Sequence, residues 1–167
     1  MRFAQLFLAA ALFCFGILPA LASDPQSEAR AAIDAGDYAK AAKLLQALAD
    51  KGDGAAAFNL GVMYGRGQGV AKSDVIAASW FEKAARDGNA LAQLDLGIMY
   101  RNGQGVAIDF PHSYMWLDVA ASNLTGADGA QAMKFRDDVA KRMTPQQLQD
   151  AQDMSDNCKL AGVKSCD

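Results

Sequence analysis

The chain states nearly the same segment twice. LGVMYGRGQGVAKSDVIAASW runs from Leu60 to Trp80, and LGIMYRNGQGVAIDFPHSYMW runs from Leu96 to Trp116, an offset of 36 residues. Leu60, Gly61, Met63 and Tyr64 recur as Leu96, Gly97, Met99 and Tyr100. Gly67, Gly69 and Val70 recur as Gly103, Gly105 and Val106, and Trp80, Ala84 and Ala85 as Trp116, Ala120 and Ala121. Stepping back by the same interval places Phe81 on Leu45, Ala85 on Ala49, Gly88 on Gly52 and Ala92 on Ala56. A third, degenerate copy therefore starts near Asp24. A fixed period of this length marks stacked supersecondary units, and no unit can bury its apolar face alone.

Each copy reads as helix, loop, helix. Ala56, Leu60, Met63 and Tyr64 fall at i, i+4, i+7 and i+8, which is one helical face. Ser73 and Asp109 stand where an N-cap opens the second helix. Trp80, Ala84 and Ala85 mark that helix's buried side, and Gly88 and Gly52 end it. No stretch alternates convincingly enough to predict a strand. Asp24 and Pro25 begin a first helix as N-cap and first-turn residue. Beyond Asn123 the period fails. ADGAQAMKFRDDVAKRM predicts an amphipathic helix with Ala132, Phe135, Val139 and Met143 on one side, and Thr144 to Gln147 forms a capping-box pattern with Pro145 at its first position.

The N-terminus is a separate object. One cation, Arg2, precedes an apolar run from Phe3 to Leu18; Pro19 and an Ala20-Leu21-Ala22 cleavage pattern follow. Residues 1–22 are thus expected to be a secretory signal peptide, with the mature chain starting near Ser23. A retained membrane anchor is the alternative, but the run is short for a bilayer span. Two cysteines remain in the mature chain, Cys158 and Cys166. An even count in an exported chain suggests a disulfide, with free thiols as the other reading.

Chemistry-bearing constellations are scarce. GRGQGV is not a dinucleotide loop, because it follows a helix where that fingerprint needs a strand, and Val70 stands where a third glycine is required. A turn that every copy must make accounts for the glycines. The lone histidine, His112, follows Pro111 in a helix's first turn and reads as a surface residue. Asp137-Asp138 and Asp150/Asp153 are acidic pairs on solvated faces. No catalytic, cofactor or metal site is expected. A net charge of −3 argues against nucleic acid as a partner and gives no attraction to anionic lipid.

The strip opposite Leu60 and Leu96 on the first helix of each copy is unusually apolar. It holds Ala55, Phe58, Val62 and Gly65, then Leu91, Leu94, Ile98 and Arg101. Two readings stay open. Tight stacking buries both sides of this helix, or Phe58, Val62, Leu91, Leu94, Ile98 and Arg101 line a groove for a partner segment.

The segment LGVMYGRGQGVAKSDVIAASWFEKAARDGNALAQ resembles a Sel-one-like repeat, a relative of the tetratricopeptide repeat. The match rests on Ala56, Leu60, Gly61, Tyr64, Gly67, Gly69, Val70, Trp80, Phe81, Lys83, Ala84, Ala85 and Gly88. Ser73 departs from the acidic cap of the pattern, and the next copy has Leu117 after its tryptophan and Val119 in place of the lysine. The resemblance implies an all-α, right-handed α-α superhelix. Residues 23–125 would hold about three helix pairs, and residues 126–167 would form capping helices and a disulfide-closed tail. It also implies a non-enzymatic adaptor that binds a protein or peptide segment, periplasmic or secreted, without membrane insertion after signal cleavage. Cysteine-rich relatives that bind or hydrolyse β-lactams are the enzymatic alternative, and a secreted effector is a third. Those relatives carry a cysteine pair in each repeat, and this chain has none between Cys14 and Cys158.

Overall fold

The computed structural model describes residues 24–166. The predicted signal peptide, residues 1–22, lies outside them. The described residues form α1 (Pro25–Asp34), α2 (Tyr38–Ala49), α3 (Gly54–Arg66), α4 (Asp74–Arg86), α5 (Ala90–Asn102), α6 (Phe110–Asn123), α7 (Gly126–Ala140) and α8 (Pro145–Ala161), with a 3-10 turn at Val163–Ser165. No strand occurs among them. Helices α1/α2, α3/α4 and α5/α6 pair, and each pair packs on the next through α2 on α3 and α4 on α5.

Alanine sets the spacing of this stack. Ala41, Ala49, Ala57, Ala84, Ala85 and Ala92 are all fully buried, so the helix backbones approach closely around Leu60, Met63, Phe81 and Leu96. The N-caps act as their residue types predict. The side chains of Asp37, Asp53, Ser73, Asn89 and Asp109 each accept a backbone N–H three residues on. Asp24 holds the N-cap position of α1 without a side-chain cap bond. Its own carbonyl instead accepts the Ser27 hydroxyl at 2.7 Å.

The glycine loops are clasps between repeats. Gly67 and Gly103 end α3 and α5 in the left-handed region. The next glycine of each loop lies on the start of the second helix one repeat back. A Cβ on Gly69 would fall 2.3 Å from the Tyr38 carbonyl carbon, and one on Gly105 would fall 2.1 Å from the Asp74 carbonyl oxygen. The recurring glycines thus serve a close backbone approach as well as a turn.

The two tryptophans differ. Trp116 is 2% exposed, in a core cluster that also takes in Met154, Cys158 and Val163. Trp80 is only half-buried, with the Lys83 ammonium 5.0 Å from its ring centre, and Phe81 fills the core beside it. The buried side of α4 is therefore set by Phe81, Ala84 and Ala85 rather than by Trp80.

The C-terminal helices do not continue the stack. α7 packs on α6 and touches α5, whereas α8 folds back across α6 instead of pairing with α7. Asp118 of α6 fixes this arrangement. It accepts Arg136 of α7 at 2.8 Å, Ser155 of α8 at 2.7 Å, and the Lys159 ammonium of α8. The capping box at Thr144 and Gln147 forms at 3.2 and 2.9 Å. Met143 falls in the turn after α7, and still packs on the second core cluster with Leu117, Ala132 and Val139. Past α8, Cys158 and Cys166 are joined, with Cα atoms 4.7 Å apart. The tail they close rests on α4 as well as on α8.

A candidate peptide groove

The first helices of the repeats bear a line of side chains facing a common hollow surface. On α3 the line is Ala55, Asn59, Val62 and Arg66, at spacings of four, three and four, which is one helical face. Three hollows run along it. One lies against α1 and is lined by Arg30, Ile33, Ala55 and Asn59. The next keeps Ile33 and Asn59 and adds Tyr38, Val62, Arg66 and Gln68. The third keeps Val62 and Arg66 and adds Asp74, Asp95, Ile98 and Gln104. Each hollow shares two wall residues with its neighbour, so the three form one groove from α1 to α5. Its walls alternate aliphatic patches with amides and charges, the mixture suited to an extended peptide.

The six residues expected to line a partner surface fall in different places. Val62 and Ile98 line the groove. Phe58 is half-buried and packs its ring 5.7 Å from Phe81. Leu91 is 39% exposed near the start of α5. Leu94 is 5% exposed, in the core cluster shared with Tyr114, Leu117 and Ala132, and Arg101 lays its guanidinium 4.5 Å from the centre of the Phe135 ring of α7. Leu94 and Arg101 are thus packing residues in this structure. α7 supplies that packing, because it docks where a further repeat would otherwise continue the line. The groove face on α3 is turned by one residue from the predicted strip, from Phe58 to Asn59.

Asn59, Arg66, Asp95 and Gln104 escape a search for apolar strips because they are polar. Asp95 is the most perturbed of them. Burial pushes its carboxyl up to about 6; Arg66 opposes the shift and Asp128 adds to it. In the groove this places a carboxylate that water covers poorly beside the aliphatic side chains of Val62 and Ile98.

Other polar clusters have structural duties. His112 Nδ1 lies 2.9 Å from Asp109 Oδ2, while the other oxygen of Asp109 caps α6 by accepting the His112 N–H at 3.0 Å. Gln93 is fully buried, donates to the Ala85 carbonyl at 3.2 Å and accepts from Asn123 at 3.3 Å. Among the described residues, no three His, Cys, Asp or Glu side chains gather as a metal site would require. None of their helices is long and apolar enough to cross a membrane.

Comparison with known proteins gives these features a context. The Sel1 repeat model matches residues 29–53, 54–89 and 90–123, which takes in the degenerate first copy. Among solved structures, the chain is similar to a protective antigen of uropathogenic Escherichia coli strains displaying an SLR fold. The TM-score is 0.71 and the identity 32%, over 80% of this chain and 29% of that one. It also shares its fold with a Sel1 repeat protein from Oxalobacter formigenes, with a TM-score of 0.58 and 24% identity over 75% of this chain and 57% of the other. The chain thus spans under a third of the first relative and little more than half of the second. No curated protein matches its sequence significantly.

Proposed function

Since the chain belongs to the Sel1 repeat family, whose members generally mediate protein–protein interaction, we propose that it is a non-enzymatic adaptor of the bacterial cell envelope. It holds an extended segment of a partner protein in the groove along α1, α3 and α5. The observation that carries this reading is the continuity of that groove: Asn59 and Ile33 bridge its first two hollows, and Val62 and Arg66 its last two. Aliphatic walls remove apolar partner surface from water, and the amides of Asn59, Gln68 and Gln104 offer hydrogen bonds to a peptide backbone. Export is supported by the signal-peptide pattern of residues 1–22 and by the likeness to an antigen of a pathogenic strain. The β-lactam alternative lacks support, because the cysteines that such relatives carry in each repeat do not occur in this one.

Site-specific photocrosslinking in intact cells tests the reading. A photoreactive phenylalanine at Val62 or Ile98 is expected to give the same discrete adduct, and one at the exposed Ser79 of α4 to give none. Equal adducts from Ser79, or none from either groove position, would overturn the groove. Full-length, uncleaved protein in the cytoplasmic fraction would overturn the envelope assignment.

A further inference from the structure

The groove builds one hollow twice and changes its charge. Between the first and second repeats, Tyr38, Asn59, Val62, Met63 and Gln68 line the wall. Moving each forward by the repeat period gives Asp74, Asp95, Ile98, Met99 and Gln104, and all five line the hollow between the second and third repeats. The aliphatic residue, the methionine and the glutamine are kept in kind. The tyrosine and the asparagine both become aspartates. Arg66 lines both hollows, so one architecture sets that cation alone at one step of the groove and opposes it with two carboxylates at the next.

Only one of the two carboxylates has a structural use. Asp74 sits in the first turn of α4, where a helix favours negative charge. Even so, its Oδ1 is buried without a hydrogen-bond partner among the described residues. Asp95 lies in the middle of α5, caps no helix, and takes no hydrogen bond or salt bridge within the described residues. Among the described residues, Arg66 on the facing wall is the cation that acts on it, and Arg66 does not bring the carboxyl back to its ordinary range. A desolvated carboxylate without a close cation is unfavourable unless something else supplies the charge. Asn59 shows that the fold accepts an amide at the equivalent position, so the repeat itself does not require the acid.

We propose that the hollow formed by Asp74, Asp95, Gln104, Val62, Ile98 and Met99 is a specificity pocket for an arginine side chain of the segment held in the groove. The proposal rests on the groove reading above. The two carboxylates come from different helices, and with the Gln104 side-chain carbonyl they offer several acceptors to a planar group with five N–H donors. Val62, Ile98 and Met99 supply apolar surface for the aliphatic stem. The hollow at Tyr38 and Asn59, with Arg66 as its charge, disfavours a cation, and the one at Asp74 and Asp95 favours it, so the pair fixes the register and direction of a bound chain.

The test uses the mature exported protein, labelled with 15N, at pH 7.5. The probe is N-acetyl-arginine methylamide; the neutral citrulline and the lysine analogues are its controls. The arginine probe is expected to shift the backbone amides of Asp95, Ile98, Met99 and Gln104 in a saturable way, and Asp95→Asn to weaken this at least about tenfold. Equal shifts from citrulline, shifts centred elsewhere, or no loss in Asp95→Asn would overturn the pocket. Equal binding of the lysine analogue would overturn the guanidinium assignment. If the arginine probe fails while Val62 still crosslinks in cells, the pocket falls and the groove stands. If the crosslinks fail while the arginine probe binds, the groove reading falls, and with it the partner that this pocket is meant to read.

Discussion

The backbone of Gly105 lies against the carbonyl of Asp74, so near that a Cβ would sit 2.1 Å from the oxygen. Gly105 also has φ +72°, a region that a side chain disfavours. The two effects add, because neither the loop nor the start of α4 has a flexible side-chain tip to move aside. Gly105→Ala is expected to destabilise the protein by about 2–4 kcal/mol. Gly36→Ala meets nothing within 4 Å, although its φ is +75°, and should lose only about 1–2 kcal/mol. Urea unfolding of both variants checks the contrast. Equal losses would show that the clasp between repeats carries no stability.

Asp118 joins three helices through Arg136, Ser155 and Lys159. Burial pushes its carboxyl up, but bonds from Lys159, Arg136 and Ser155 outweigh this and hold it below the ordinary carboxylate range. A depressed carboxyl pKa contributes stability that is present above the unfolded value and is lost as pH falls through the folded value. Asp118→Ala should therefore lower stability by about 2–3 kcal/mol at pH 7. The difference from the parent protein should shrink below about pH 4. Urea midpoints across this range measure both effects.

Asp95 acts in the opposite sense. Its folded value of about 6 lies above the model value of 3.8, so its ionised form penalises the native state. The penalty is absent only well below the model value of 3.8, grows as pH rises from there towards 6, and is complete above about 7. Beside burial, the groups bearing on it are Arg66 of α3 and Asp128 of α7, and Asp74 lines the same hollow. Asp95→Asn should raise the urea midpoint at pH 7.5, by up to about 3 kcal/mol in stability, and raise it by only about a third as much at pH 4.5. A gain of equal size at both pH values would show that charge is not the cause.

The disulfide between Cys158 and Cys166 closes a short loop, for which chain entropy gives about 2–3 kcal/mol. Cys158→Ser should release the tail and speed amide exchange at the end of α8. The tail also rests on α4, with a Val163 methyl 3.9 Å from the Cβ position of Gly88. The last turn of α4 should therefore lose protection too, while α1 and α2 keep theirs. Hydrogen exchange by mass spectrometry resolves these segments.

Most of the solenoid was legible because its signals are local. The 36-residue period, the caps at Ser73, Asp109 and Thr144 and the alanine-rich faces all act within one or two helices. Legibility failed where contacts depend on helices outside the period. Nothing near Leu94 or Arg101 announces that α7 will cover them, and nothing in TPQQLQDAQDM says that its helix will dock on α6. Trp80 and Trp116 occupy the same repeat position, yet only Trp116 is fully buried, in the cluster that includes residues of α8. Val62 and Ile98 of the apolar strip line the hollows, whereas Asn59, being polar, carries no apolar signal in the sequence. Setting Asn59 beside Asp95 and Tyr38 beside Asp74 at the repeat interval would have marked the acidic hollow from the sequence alone.

The return of the tail to α4 changes the connectivity of the molecule. An open stack of repeats behaves as a chain of neighbours and can melt inward from either end. Here residues 163–165 are latched to the second repeat, so α4, α5, α6 and α8 form a closed circuit that cannot be peeled one layer at a time. Among the described residues, α1 and α2 form the repeat outside this circuit. The protein is thus polarised in its unfolding, with a mouth that frays at the Arg30 end of the groove and a locked base at the Asp95 end.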